Sequence, residues 1–337
     1  MTEDSKLYRT LGPIYISSIQ PLFDNEDLFA KYKIKTIISI TKSDIPEIYK
    51  NTPYTQESIP IDDASEEVII PYIPKVNKLI FTTIYNEGSG KPTLSGNSVL
   101  VHCQSGISRS VAFVCAYLMN RHNLTVDYAL HAIRRNYPER TFQPNDGFIQ
   151  QLQIYKESEW CVDLSKLRKV SARWRAYRME FLMFNKHKSI DEFSTVEENS
   201  IDENWFGIKC SKCRSLLTSS EVFIPHSPPF EKDDKQLYFT KTVYKRKRVI
   251  DRQVGSECTH IFTEPLVWMN ETITGTEDLE GRLDCYKCHA KVGGWNWKGG
   301  RCSCGKWMVP AIHLLKSKII QVDKNNKLIL PNDERSI

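Results

Sequence analysis

Short apolar runs and amphipathic stretches alternate over roughly the first half of the chain. An apolar pattern rich in β-branched side chains, which predicts strands, occurs in residues 34–40, 58–61 and 98–101. Residues 7–19 alternate around a Gly-Pro pair and predict an edge strand. Apolar positions recur every three or four residues, as in helices, over residues 71–85, 110–120 and 125–133. We therefore expect a first domain of strands and helices over residues 1–162.

One stretch of this domain joins a predicted strand to a predicted helix through a short loop. Residues 102–110 read His-Cys-Gln-Ser-Gly-Ile-Ser-Arg-Ser, and Gly106 permits a tight turn there. A loop that leads into a helix start collects inward-pointing backbone N–H groups, which bind anions. A positive field of this kind favours the thiolate form of Cys103, and a thiolate is a strong nucleophile.

Arg109 adds a planar fork that matches two phosphate oxygens. We expect the hydroxyl of Ser108 to donate to the sulfur of Cys103 and to ease its departure in a second step. The residues predicted to surround a substrate phosphate are Gln104, Ser105, Gly106, Ile107, Ser108 and Arg109. The loop lacks the Lys of nucleotide-hydrolase phosphate loops. The loop therefore predicts phosphoryl transfer through a cysteinyl-phosphate. The alternatives for Cys103 are a buried structural thiol and a metal ligand.

The cysteines predict a second domain over residues 205–337. Seven of the ten lie after residue 200, in closely spaced pairs, and paired cysteines in an intracellular chain suggest metal before disulfides. The eight candidate ligands are Cys210, Cys213, Cys258, His260, Cys285, Cys288, Cys302 and Cys304. Eight ligands fill two tetrahedral Zn²⁺ sites, and closed sites of this kind are structural. We expect a small β domain around them, with strands at 221–224, 237–244 and 266–269.

The pairing of these ligands has two solutions. Sequential pairing joins the first four ligands and then the last four, which gives one Cys₃His site and one Cys₄ site. The alternative joins the two Cys-x-x-Cys pairs, as in zinc ribbons.

Residues 163–204 predict a connector. Residues 164–188 are basic and amphipathic, which is compatible with a helix docked on one of the domains, a nucleic-acid contact or a membrane-surface helix. Residues 189–204 are polar and acidic and predict a linker, and a basic run follows at 245–248.

Composition sets few further limits. The 337 residues favour about two domains, and a net charge of +5 permits an acidic partner without requiring one. No apolar run approaches the roughly 18 residues of a membrane span. The first five residues are polar and unlike a signal peptide, so we expect no secretion and no membrane partner.

Residues 102–110 resemble the signature of the Cys-dependent protein tyrosine phosphatase superfamily, and the short domain is similar to its dual-specificity branch. The resemblance implies a parallel-sheet α/β fold and catalysis without a metal. It also implies a general acid just after a strand, for which Asp63 is the first candidate and Asp62 the second. Asn145, in the turn before the last helix, is expected to brace the loop structurally.

With its cysteine pattern, the whole chain resembles the zinc-containing dual-specificity phosphatases, which act in large-subunit ribosome maturation in yeast and include the glucokinase-associated phosphatases of animals. The resemblance implies phosphoprotein substrates carrying phosphate on Tyr or on Ser and Thr. It further implies binding to pre-60S particles, through protein or ribosomal RNA, release of an assembly factor at the stalk, and a cytoplasmic and nuclear location. We expect no obligate oligomer. The alternatives are a mainly non-catalytic assembly factor and a redox-sensing phosphatase.

Overall fold

A computed structural model describes residues 6–24, 27–51, 53–85, 96–182, 205–227, 258–275 and 278–329, with the side chains of residues 181 and 182 excepted. The chain forms two compact units, residues 1–167 and 168–337. The predicted linker at 189–204, the end of the basic segment at 183–188, the predicted strand at 237–244 and the basic run at 245–248 lie outside the described residues.

The first unit is built on a five-stranded sheet with the order β1-β2-β5-β3-β4. The strands are β1 (Tyr8–Arg9), β2 (Ile14–Ser17), β3 (Ile34–Ser39), β4 (Thr55–Ser58) and β5 (Ser98–His102). All neighbours pair in parallel except β1 and β2. The central strand β5 is buried at every position, as an apolar strand covered on both faces should be. The expected parallel-sheet α/β fold is confirmed.

Helices cover this sheet. They are α1 (Gln20–Phe23), α2 (Leu28–Tyr32), α3 (Ile73–Ile84), α4 (Arg109–His122), α5 (Val126–Arg134) and α6 (Asp146–Glu157). The first eleven residues of α4 are buried, because this helix packs against β5, α3, α5 and α6. Thr125 caps α5, where its hydroxyl accepts the N–H of Tyr128 at 3.4 Å.

One strand of this unit lies earlier in the chain than the sequence predicts. The apolar run at 58–61 was expected to be a strand, but β4 ends at Ser58. Pro60 lacks the N–H that a strand ladder needs, while Ile59 and Ile61 are still buried. The chain therefore leaves the sheet early and carries the two aspartates that follow along its carboxyl edge.

The second unit is β-rich, as expected. Its strands are β6 (Phe206–Cys210), β7 (Leu216–Ser219), β8 (Phe223–Ile224), β9 (His260–Thr263), β10 (Glu280–Asp284), β11 (Lys291–Asn296), β12 (Gly300–Arg301), β13 (Trp307–Met308), β14 (Ala311–Leu315) and β15 (Ile319–Asp323). They form sheets with the orders β10-β11-β14-β9-β8, β15-β6-β7 and β12-β13. Residues 266–269, predicted as a strand, instead contain the 3-10 helix Val267–Met269, followed by α9 (Asn270–Thr274); α7 (Leu164–Val170) and α8 (Ala172–Leu182) come earlier in the chain.

From Arg168, the described part of the basic segment lies within the second unit. Arg168 and Arg178 both pair with the buried carboxylate of Glu264, at 2.8 and 3.1 Å. Arg175 is 4% exposed, and its guanidinium donates to the carbonyl of Phe223 at 2.9 Å. Residues 168–180 of the predicted connector thus pack within the second unit, as the first of the three alternatives expects. Among the described helices, none combines the length and apolar character that a membrane span requires.

Candidate active site and metal centres

The parallel strands of the first unit deliver their loops to one edge. Ser17, His102 and Ser39, at the carboxyl ends of β2, β5 and β3, are in register. In an open parallel sheet, ligands bind outside these carboxyl ends. The cysteine-containing loop follows β5 here, and the aspartate-containing loop follows β4, which is the neighbour of β3.

Cys103 is fully buried at the start of its loop. Its Sγ accepts the backbone N–H of Gly106 at 3.2 Å and the hydroxyl of Ser110 at 3.3 Å. These two donors, one from the loop and one from the start of α4, fix the position of the sulfur.

The expected bond between Ser108 and Cys103 is not present in the structure. The Ser108 hydroxyl donates to Oδ1 of Asp63 at 2.6 Å, and Ser110 binds the sulfur instead. Ser110 lies at the start of α4, one residue beyond Arg109, and the sequence analysis missed it. Its signal was a hydroxyl residue directly after the phosphate-clamping arginine.

The backbone of the loop is fixed from outside. Carbonyl groups of Gln104, Ser105 and Ile107 accept from Ile19, Arg140 and Gln143 at 3.3, 2.9 and 2.9 Å, respectively. Because these carbonyls accept from donors outside the loop, the N–H groups between them can serve an anion at the centre of the loop, apart from that of Gly106, which donates to Cys103 Sγ.

Gly106 is required by this geometry. Its φ is +70°, and a Cβ there would lie 2.6–2.7 Å from the backbone of Ser17 and Ser18. A side chain would meet both the left-handed strain and the carboxyl end of β2. The loop can thus lie against the sheet only with glycine at this position.

Arg109 is held with part of its fork open. Its Nη1 donates to the carbonyl of Ile61 at 3.0 Å, while its buried Nε has no hydrogen-bond partner among the described residues. A buried guanidinium N–H without a protein acceptor suits a phosphate oxygen.

The structure brings Asp63, and not Asp62, to the loop. Asp63 Oδ1 accepts from Ser108 and from Asn145 Nδ2, at 2.6 and 2.8 Å. Asp62 pairs with Lys42, and its side chain is 56% exposed. Asn145 also caps α6, where its Oδ1 accepts the N–H of Phe148 at 2.9 Å, so it braces the site as expected.

His102 was missed by the sequence analysis. It is fully buried, and its Nε2 lies 2.7 Å from the hydroxyl of Ser39. Burial lowers the pKa of His102 to about 4, so its imidazole is neutral near pH 7. It fills the end of β5 beneath the loop without adding a charge.

In the second unit, one group of potential metal ligands joins the two Cys-x-x-Cys pairs, Cys210 with Cys213 and Cys285 with Cys288. Their sulfurs lie 3.5 Å apart for Cys213 and Cys285 and 3.8 Å apart for Cys210 and Cys288. Thiolates about 2.3 Å from a tetrahedral Zn²⁺ lie about 3.8 Å from one another, so this group fits the ion. The Ser215 hydroxyl lies 3.0 Å from the sulfur of Cys213, and hydrogen bonds from the Ser215 hydroxyl and backbone lower the pKa of that thiol to about 6.

The two Cys-x-x-Cys turns share one backbone geometry. The N–H of Arg214 donates to the carbonyl of Cys210, and that of His289 to the carbonyl of Cys285, both at 2.9 Å. Arg214 and His289 are both left-handed, with φ of +65° and +54°. The repeated turn directs each pair of sulfurs to one side of its loop.

A second group joins His226 to Cys258, Cys302 and Cys304. Both ring nitrogens of His226 are buried and without a hydrogen-bond partner among the described residues, which suits a metal ligand. The residues therefore fit a second four-coordinate ion.

Sequential pairing and the assignment of His260 as a ligand were wrong. His260 lies on β9, where its Nδ1 is 2.9 Å from the Thr259 hydroxyl and its ring packs 4.4 Å from that of His313. The candidate groups instead follow the alternative pairing, which joins the two Cys-x-x-Cys turns. His226 has no neighbouring ligand in the sequence, so spacing gave no signal for it.

Comparison with known proteins places this site in a family. Residues 14–158 match the dual specificity phosphatase catalytic domain. The chain is 35% identical to the tyrosine-protein phosphatase YVH1 of Saccharomyces cerevisiae, over 94% of this chain and 92% of that protein. It is 33% identical to tyrosine-protein phosphatase yvh1 of Schizosaccharomyces pombe, over 78% and 70% of the two chains. It is 31% identical to dual specificity protein phosphatase 12 of Homo sapiens, over 68% and 66%. The chain belongs to the dual specificity phosphatase family.

Proposed function

We propose that this phosphatase hydrolyses phosphate esters of Tyr, Ser and Thr in phosphoproteins through a cysteinyl-phosphate. The observation that carries the proposal is the sulfur of Cys103, with two donors on it, in the same loop as the part-open fork of Arg109. A thiolate beside a phosphate-binding fork is arranged for in-line attack on phosphorus.

The first step uses three side chains. Cys103 Sγ forms a bond to phosphorus while the bond to the leaving oxygen breaks. Arg109 and the loop N–H groups hold the other phosphate oxygens, and Asp63 gives a proton to the leaving oxygen. In the second step Asp63 takes a proton from water as the water displaces the sulfur. The Ser110 hydroxyl stabilises the departing thiolate.

The intermediate is the direct test of this mechanism. Rapid quenching with an aryl phosphate should trap one phosphoryl group on the peptide that contains Cys103, detected by mass spectrometry after digestion in acid. Asp63→Asn should lengthen the life of this adduct, because water then attacks without a base. Turnover with phosphate on another residue, or with no adduct at any quench time, would contradict the mechanism.

For the second unit we propose two structural Zn²⁺ ions, one in each group of ligands. Four protein ligands leave no open position, so these ions would supply folding energy and not hydrolysis. Elemental analysis of the purified chain should return two zinc per chain. A value near zero in a folded and soluble chain would overturn this proposal.

We further propose that the second unit binds a pre-60S ribosomal particle and assists release of an assembly factor at the stalk, in the cytoplasm and the nucleus. Residues 168–337 contain 29 Lys and Arg against 22 Asp and Glu, whereas residues 1–167 contain 17 against 19. Lys212, Arg214 and Lys287 are exposed around the paired cysteine turns and form no ion pair with a described carboxylate. Tyr286, which directly precedes Lys287, is 51% exposed and offers a stacking surface for RNA.

Sedimentation with large-subunit precursors at two salt concentrations tests this role. Binding should weaken as salt rises, because cations that contact phosphates displace counterions. The double variant Lys212→Glu with Lys287→Glu should bind less, whereas Cys103→Ser should sediment like the wild type. Absence of wild-type association at both salt concentrations would refute the ribosomal proposal and leave the phosphatase proposal intact.

A further inference from the structure

The loop that carries Asp63 is fastened along the start of α6. Gln151 is fully buried; its Oε1 accepts the N–H of Ile69 at 2.9 Å, and its Nε2 donates to the carbonyl of Glu67 at 2.8 Å. A Cβ at Gly147 would lie only 1.9 Å from the carbonyl oxygen of Ser65, so the two backbones touch there. Residues 65–69 therefore have a fixed position relative to this helix.

The carboxyl group of Asp63 is held at the same helix end through one oxygen. The backbone N–H of Asn145 donates to the Ser108 hydroxyl at 3.1 Å, so the hydroxyl hydrogen of Ser108 is directed at Asp63. Asn145 Nδ2 and Ser108 both donate to Oδ1. No hydrogen bond from a described residue reaches Oδ2.

We propose that Asn145 is a positioning residue that, together with Ser108, occupies Oδ1 of Asp63 so that Oδ2 alone carries the transferred proton. This inference rests on the proposed function of the site. An Oδ1 that accepts two hydrogen bonds can be the carbonyl oxygen of the neutral acid or one oxygen of the carboxylate. The same two bonds therefore persist before and after proton transfer, and the carboxyl group does not rotate between the two steps.

The proton path is then defined at each step. When the sulfur–phosphorus bond forms and the ester bond breaks, the proton on Oδ2 moves to the leaving oxygen. When water attacks the cysteinyl-phosphate, its proton returns to Oδ2 and the thiolate of Cys103 leaves with the electrons of the sulfur–phosphorus bond. Inorganic phosphate is released, and Asp63 is protonated again.

Asn145→Ser in the full chain separates this role from helix capping. Serine still accepts the N–H of Phe148 as an N-cap, but it has no donor that reaches Asp63. The turnover number should fall about tenfold on an ester of a weakly acidic alcohol, with KM unchanged, because such a leaving group needs the acid. On an aryl phosphate with a strongly acidic phenol, the turnover number should stay within about twofold of the wild type, because that leaving group departs without a proton.

Two controls make the result decisive. Thr125→Ala removes the cap of α5, for which no hydrogen bond to the aspartate-containing loop is found among the described residues, and should affect both esters equally. In an Asp63→Asn background, Asn145→Ser should have no further effect on the poor ester, because the acid it positions is already absent.

An equal loss on both esters, or an undiminished loss in the Asp63→Asn background, would overturn the positioning role while leaving the phosphatase mechanism intact. Full activity of Cys103→Ser on both esters would instead refute the proposed function itself.

Discussion

The cysteine-containing loop of the first unit has Cys103 and Arg109 within seven consecutive positions, whereas the candidate metal-binding groups of the second unit join distant segments. Cys213 and Cys285, whose sulfurs lie 3.5 Å apart, are separated by 72 positions in the chain. The loop is shaped by backbone hydrogen bonds and one left-handed glycine, whereas each metal group is formed by four side chains around a small volume. A site of the first kind depends on backbone geometry, and a site of the second kind depends on the ion.

Removal of metal should have the largest effect, and it should act on the second unit and not on the first. Structural zinc contributes about 10–16 kcal/mol to the folding of small zinc domains, so a strong chelator should unfold the second unit. Six of the seven Trp residues lie in residues 168–337, so intrinsic fluorescence reports this loss. Activity on an aryl phosphate should persist, because the hydrogen bonds described for the cysteine-containing loop come from residues of the first unit.

His226 and His260 provide a matched pair of variants for this experiment. His226→Ala should release one of two bound ions, measured by elemental analysis after dialysis, while His260→Ala should retain both. Release of metal by His260→Ala and not by His226→Ala would restore the sequence-based ligand set.

Cys103→Ser should reduce aryl phosphate turnover by at least about 10⁴-fold, because the attacking group is lost and the remaining residues act as a unit with it. Cys161→Ser, which replaces a part-exposed thiol outside the loop, is the control and should retain activity. Both variants should give circular dichroism spectra like the wild type. Near-normal turnover by Cys103→Ser would show that the loop binds phosphate without attacking it.

Gly106→Ala tests the backbone requirement of the loop. We expect the free energy of unfolding of the first unit to fall by at least about 3 kcal/mol, because strain at positive φ is added to a backbone contact below 3 Å. Most of the activity should be lost as well. Gly12→Ala has a similar φ of +68° and open space around it, so it should cost only about 1 kcal/mol. Equal urea midpoints for the two variants would mean that the contact with β2 is unimportant.

The smallest effect is expected from pH. The folded first unit binds fewer protons than the unfolded chain between pH 4 and 6.5, because burial lowers the pKa of His102 to about 4. Stability should therefore fall as pH is lowered through this window, by about 2 kcal/mol at pH 5. Hydrogen exchange of the β5 amides, corrected for intrinsic rates, should show this loss. His102→Gln should remove it, and His122→Gln, at an exposed site, should leave it in place. Equal protection at pH 7 and pH 5 in the wild type would contradict burial as the cause.

The difference between the two units also explains what could be predicted from sequence. Strands β3 and β5, helices α3 to α5 and the positions of Cys103 and Arg109 follow from local patterns, because each is defined within a few consecutive residues. The sequence does not show which hydroxyl, that of Ser108 or that of Ser110, donates to the sulfur, because both residues flank the same arginine. Only the turn into α4 decides which of them faces Cys103.

In the second unit the cysteine pairs were found, but their partners were not. Spacing identifies a pair that one turn holds together, and it says nothing about which turn lies opposite. His226 follows β8, and it joins Cys302 and Cys304 because the sheets bring those segments together. The choice between His226 and His260 therefore depended on tertiary structure.

The two groups of candidate ligands interleave along the chain, and this affects the order in which the chain can fold during synthesis. The first unit ends at residue 167, so its sheet and phosphate loop are complete while the second unit is still being translated. Cys288 and Cys304, by contrast, are the last ligands of their groups, and the first ligands are Cys210 and His226. At about 5–20 residues per second, each early ligand waits several seconds for its partners. The order of translation thus allows the phosphatase unit to fold before the second unit, whose candidate metal groups are complete only after Cys304 has been synthesised.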